Sequence, residues 1–156
     1  MEILKFNPCK DAVEFRKQFP TFGEAWQSCP RGDWMLWIAK KLNVDDRLLT
    51  LAKGRCAETV IHLMNDNRSI NAVKAAIAYG NSEITADELA SAASAAAYAA
   101  SAAYAAAYAA SAAYAAAYAA AYDYATADAA GEENKLQTAE ICRVLLTDAV
   151  MEKINL

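Results

Sequence analysis

Apolar residues recur at three- and four-residue intervals along most of this chain, and between Leu89 and Tyr122 charge disappears from the pattern altogether. That spacing predicts helices throughout. Val13, Phe15 and Phe19 stand among charges over Asp11–Phe19, a short helix closed by Pro20 and Gly23. After a break at Cys29-Pro30-Arg31-Gly32, Asp33 is placed to cap a helix over Trp34–Leu42, with Trp34, Trp37, Ile38 and Leu42 on its core face. Asp45 caps a longer helix reaching to about Asn65, on the recurrence of Leu48, Leu51, Ala52, Val60, Ile61 and Met64. Ser69 caps a helix over Asn71–Tyr79, which Gly80 stops.

Thr85-Ala86-Asp87-Glu88 is a capping box with acids at the positive end of the helix dipole, and it opens an Ala/Tyr-rich helix expected over 85–130. Alanine forms helix at the lowest cost of any residue. Seven of the eight tyrosines fall between Tyr98 and Tyr124, and the block Ser-Ala-Ala-Tyr-Ala-Ala-Ala-Tyr-Ala-Ala occurs from Ser101 and again from Ser111. Projected on a helix, Tyr104, Tyr108, Tyr114, Tyr118 and Tyr122 gather within roughly 120° of arc, opposite a face of small residues. No Gly or Pro interrupts Asn81 to Ala130. A single helix of that length spans roughly 75 Å, against roughly 40 Å for a compact globule of this size. The run therefore either folds back as a hairpin or projects and is covered by a second copy, which makes a homo-oligomer through the Ala-rich helix the expected assembly. Gly131 is expected to end or bend it before a C-terminal helix over 132–154, whose part from Leu136 to Ile154 turns Ile141, Val144, Leu145, Val150 and Met151 inward.

The expected fold is one all-α domain of 156 residues, a helical bundle built around the long Ala/Tyr-rich helix, with short amphipathic helices filling about 1–80. Its formal charge of −4 is unevenly placed: residues 1–85 hold twelve Lys/Arg against ten Asp/Glu, and residues 86–156 hold three against nine. With a pI near 5.0 and no basic face on the Ala/Tyr helix, nucleic-acid binding is not expected. The uncharged run is long enough to cross a bilayer, yet Ala, Ser and Tyr gain little on leaving water and the flanks are acidic, so no membrane span is expected. Cys9, Cys29, Cys56 and Cys142 follow no secretory opening, which points to reduced thiols in a cytoplasm.

Candidate chemistry is sparse. The single histidine, His62, sits between Ile61 and Leu63 and reads as structural; four scattered cysteines lack ligand spacing, so neither a metal nor a cofactor is expected. Asp45-Asp46 and Glu132-Glu133 lie at helix starts, where the dipole alone calls for acids. With no phosphate loop, nucleophile elbow or positioned acid–base pair in the sequence, a non-enzymatic role is expected. The tyrosine face packs against neighbouring helices, or lines a groove in which a planar ligand stacks. In the second reading the ligand-binding residues are Tyr104, Tyr108, Tyr114, Tyr118 and Trp37, with Arg47 and Arg55 meeting phosphates.

The order of Asn7-Pro8-Cys9-Lys10-Asp11, Gly32-Asp33-Trp34-Met35-Leu36-Trp37, Asp46-Arg47-Leu48-Leu49, Cys56-Ala57-Glu58, the Ala/Tyr run and Ala139-Glu140-Ile141-Cys142-Arg143 resembles the Ala-rich immunity-protein-like family of phages and bacteria. The resemblance implies an all-helical, non-enzymatic protein of a conflict system, acting in the bacterial host cell. Two functions are consistent with it. One is a phage anti-defence protein that sequesters a nucleotide-derived immune signalling molecule in a Tyr-lined site; the other is an immunity or inhibitor protein that blocks a toxin or defence enzyme by contact.

Overall fold

The computed structural model describes residues 3–64, 66–96 and 124–155, with side chains over 5–62, 64, 66–96 and 133–154. All regular structure among them is helical. After a 3-10 turn at Ile3–Phe6 come α1 (Lys10–Lys17), α2 (Phe22–Ser28), α3 (Gly32–Lys41), α4 (Asp46–Glu58), a second 3-10 turn at Ile61–Leu63, α5 (Asn67–Gly80), α6 (86–96) and α7 (Tyr124–Asn155). No helix of the described residues is long and apolar enough to cross a membrane.

The core lies where α3 and α4 pack against α7. Met35, Ile38, Ala39 and Leu42 of α3 meet Leu49 and Ala52 of α4 and Ala139, Cys142, Leu146 and Val150 of α7. α5 lies against the other side of α4, while α1 and α2 pair with each other and α2 reaches α7. Of the Ala/Tyr-rich helix the described residues hold only 86–96 and the beginning of α7 at Tyr124; the repeat with Tyr104, Tyr108, Tyr114 and Tyr118 lies outside them, as does the Ala surface expected to join two copies. The helix at the centre of the described core is α7.

Several helix starts match their local chemistry. Asp45 Oδ1 accepts from Leu48 N at 3.0 Å, and the box at α6 is reciprocal: Thr85 Oγ1 accepts from Glu88 N at 3.3 Å while Glu88 Oε2 accepts from Thr85 N at 2.8 Å. Others differ. Arg31, not Asp33, occupies the N-cap of α3, and Asp66, not Ser69, caps α5 by accepting from Ser69 N. α2 itself lies in a stretch whose periodicity predicted no helix; Thr21 caps it by accepting from Glu24 N.

α4 stops at Glu58 instead of continuing to Asn65, because Thr59, Val60 and Ile61 form a β-branched run that helix disfavours, and Thr59 Oγ1 donates to Cys56 O at 2.7 Å. His62 is consequently exposed in the following turn and not held in a helix. α5 ends at Gly80, with Asn81 as its C-cap, in a Schellman motif: Glu83 N–H reaches Ala78 O at 2.9 Å and Ser82 N–H reaches Tyr79 O at 3.0 Å, with Ser82 left-handed at φ 64°. Gly80 is needed for a different reason, since a Cβ there would strike Leu51 across the α4–α5 contact and lie 3.0 Å from Arg47 O.

Gly131, unlike Gly80, does not end a helix. Helical backbone runs unbroken from Tyr124 to Asn155, a glycine in a helix interior costing only about 1 kcal/mol relative to alanine. The buried face of α7 matches the expected one in part: Val150 is inside and Leu145 and Met151 pack against the core, but Ala139, Cys142 and Leu146 are also fully inside and Val144 is 74 % exposed. In α3 the change is of the same kind, with Met35 and Ala39 fully inside and Trp34 and Trp37 only half-buried. Small residues at Ala39, Ala139 and Cys142 permit close approach, so they and not the bulkier side chains define the seam. At Gly32 the approach to α7 leaves no room for a side chain: a Cβ would lie 2.6 Å from Thr138 Oγ1.

Candidate ligand pocket

The half-buried tryptophans of α3 do not face open solvent alone. Between α1, α2 and α3 lies a cavity of about 300 Å³, bounded by Phe15 and Arg16 of α1, Phe22 and Trp26 of α2, and Asp33, Trp34 and Trp37 of α3, with Asn7, Pro8 and Cys9 at its rim. Its volume is at the small end of the roughly 300–1,000 Å³ that ligand sites occupy, and its wall is aromatic.

Each wall is fixed by identifiable contacts. Phe15 stands 5.0 Å from Phe19 and 6.0 Å from Trp34, both tilted, and Phe22 stacks at 6.2 Å on Trp26. Trp26 is buried and its Nε1 donates to Thr147 Oγ1 of α7 at 2.9 Å, anchoring α2 to the core. The turn from α2 to α3 is held by Arg143 of α7, whose Nη1 donates to Cys29 O at 2.8 Å while its Nε pairs with Glu140 at 2.9 Å. Thus the cavity floor is tied to α7 although its walls are local.

The charges at the rim are unequally committed. Asp33 accepts from Arg31 Nε and Nη2 at 2.8 and 2.6 Å, and that bidentate pair holds the Asp33 carboxyl below its ordinary range. Arg31 is further occupied by the Trp34 ring, 4.7 Å below its guanidinium. Arg16 donates from Nη1 to Phe19 O at 2.7 Å, and its other N–H donors have no partner among the described residues. Cys29 is buried beside the cavity; loss of water pushes its thiol up, so it stays protonated at neutral pH, and its Sγ faces Arg31 O at 3.5 Å. An apolar slot with one cation holding spare donors can seat a planar group and grip an anionic substituent. Among the described residues, no group of three or more His, Cys, Asp or Glu is placed to hold a metal ion.

Of the described residues singled out from sequence, only Trp37 lines this cavity, with Lys41 Nζ 5.8 Å from its ring centroid. Arg47 is committed to the fold: its Nη1 donates to Tyr79 O at 2.6 Å and its guanidinium lies 4.2 Å over the Tyr79 ring, while Tyr79 Oη donates to Asp46 at 3.2 Å. Arg55 pairs with Glu58 at 2.9 Å and lines a second, more open groove of about 450 Å³ against Glu140, Ile141, Val144 and Leu145 of α7. The three are not brought together. Tyr104, Tyr108, Tyr114 and Tyr118 lie outside the described residues. Phe15, Phe22, Trp34 and Arg16 went unrecognised as a site, although one signal marks them: all four phenylalanines and all three tryptophans of the chain fall within 6–37.

Comparison with protein-family models, with curated proteins and with solved structures gave no match.

Proposed function

We propose that this chain is a non-enzymatic binding protein that sequesters a nucleotide-derived molecule, with its base in the cavity between α1, α2 and α3 and its phosphate at Arg16. The observation that carries this reading is the aromatic cavity with an arginine at its rim whose remaining donors find no partner among the described residues. Stacking is worth about 1–3 kcal/mol per base, and a guanidinium can take a phosphate through two parallel hydrogen bonds. Holding, not turnover, fits the neighbours: Asp33 is engaged by Arg31 and the Cys29 thiol is protonated, so neither is poised as base or nucleophile. In the phage–host conflict implied by the family resemblance, the ligand is an immune signal and its capture in the host cytoplasm is the anti-defence activity.

A second reading, a blocking protein that acts by surface contact, is favoured by α7, where Leu136 and Val144 are 56 % and 74 % exposed and Val144 borders the open groove. Native mass spectrometry of the protein with cyclic nucleotides and ADP-ribose derivatives separates the two, and also reads whether copies associate. The expected result is a saturable mass increase that releases an unmodified ligand on denaturation, lost in Trp34→Leu and kept in Tyr108→Leu. Loss in Tyr108→Leu alone would move the site to the tyrosine face. No increase across the panel would overturn the nucleotide reading in favour of a protein target.

A further inference from the structure

The sharpest chemical juxtaposition outside the cavity is a pair of thiols. Cys56, in the last turn of α4, and Cys142, in the middle of α7, bring their sulfurs to 4.0 Å across 86 residues of chain. Cys142 is fully buried, with Gly32 O 3.6 Å from its sulfur; Cys56 is half-buried, with Thr138 O 3.7 Å from its own. Neither sulfur is held by a strong partner, and no third metal-ligating side chain joins them among the described residues.

We propose that Cys56 and Cys142 are a reversible oxidative modification site, closing to an intramolecular disulfide when the protein meets a peroxide. The sulfurs stand about 2 Å beyond bonding distance, a gap within reach of side-chain rotation and small shifts of helices already in contact. The asymmetry of the pair assigns the order of events. Cys56 is the thiol a solute reaches; the hydrogen bond between the two sulfurs lowers the pKa of Cys56 and, together with burial, raises that of Cys142. The Cys56 thiolate attacks one peroxide oxygen, forming S–O as O–O breaks and hydroxide departs; the sulfur is oxidised to a sulfenic acid and the peroxide reduced. The Cys142 sulfur then gives up its proton and attacks the Cys56 sulfur, forming S–S as S–O breaks, with water leaving. Two thiols and one peroxide become one disulfide and two waters. The product braces α4 to α7 at the point where the start of α3 also packs on α7.

The test uses the reduced full-length chain, treated with hydrogen peroxide, alkylated, and analysed by intact mass and by peptide mapping without reduction. The expected product is lighter by the two thiol hydrogens, keeps two thiols open to alkylation after unfolding, yields a peptide joining Cys56 to Cys142, reverts with dithiothreitol and melts several degrees higher. Cys56→Ser, at a half-buried position, should fold and show neither the cross-link nor the higher midpoint. Oxygen addition at Cys56 without a cross-link, a bond mapped to Cys9 or Cys29, or a bond between two chains would each overturn the proposal.

Discussion

At the scale of single residues, the rim of the cavity is set by how each charge is already engaged. Asp33 is held by Arg31 in two hydrogen bonds, and Arg31 in turn covers Trp34, so the state of one carboxyl controls the surroundings of a wall residue. Because the folded-state pKa of Asp33 is depressed, the contact is fully present above the ordinary carboxylate pKa of about 3.9 and is lost as pH falls through the lower folded value. Tryptophan emission should therefore change in acid below about pH 3.9, and Asp33→Asn should remove that part of the titration at every pH while leaving the remainder. An identical titration in Asp33→Asn would detach the pair from Trp34. Trp37, singled out from sequence as a ring that stacks on a ligand, lines the cavity. Arg47 and Arg55 were not legible, because a cation's partner is set by helix packing: a tyrosine thirty-two residues away takes one, and a glutamate on the next turn takes the other.

At the scale of helices, local chemistry reads well where it is self-contained and poorly where tertiary approach decides. The capping box at Thr85–Glu88 involves only its own four residues and was legible in full. The buried faces of α3 and α7 were legible only in part, since both helices carry apolar residues around much of their circumference and the seam follows the small ones. Gly80 belongs to the same class: its position near a helix end resembles a stop, but its lack of a side chain serves the α4–α5 contact. Gly80→Ala should cost about 1–3 kcal/mol by overpacking against Leu51, seen as a lower midpoint in urea with an unchanged slope. If Gly80 acted only as a helix terminator, alanine there, a better helix former, would leave the midpoint unchanged or raise it.

At the scale of the molecule, the cavity sits where a firm core meets a thin cover. Ala139, Cys142, Leu146 and Val150 of α7 are wholly buried, whereas α1, which supplies Phe15 and Arg16 to the cavity, has no buried residue at all. Opening α1 exposes little apolar surface and so lies near the low end of local unfolding free energies, as does α6, whose described side chains are mostly exposed. The two helices consequently report on different sites. A ligand seated among Phe15, Trp34 and Arg16 must leave when α1 opens, so at about 100 times its dissociation constant it should slow amide exchange in α1 roughly a hundredfold. Fraying of 86–96 leaves that cavity intact, and its exchange should not change. Hydrogen exchange with and without the nucleotide retained in the mass spectrum measures both at once. Protection confined to α6 would place the ligand on the Ala/Tyr-rich run instead, and slowing of α1 alone would place it in the cavity.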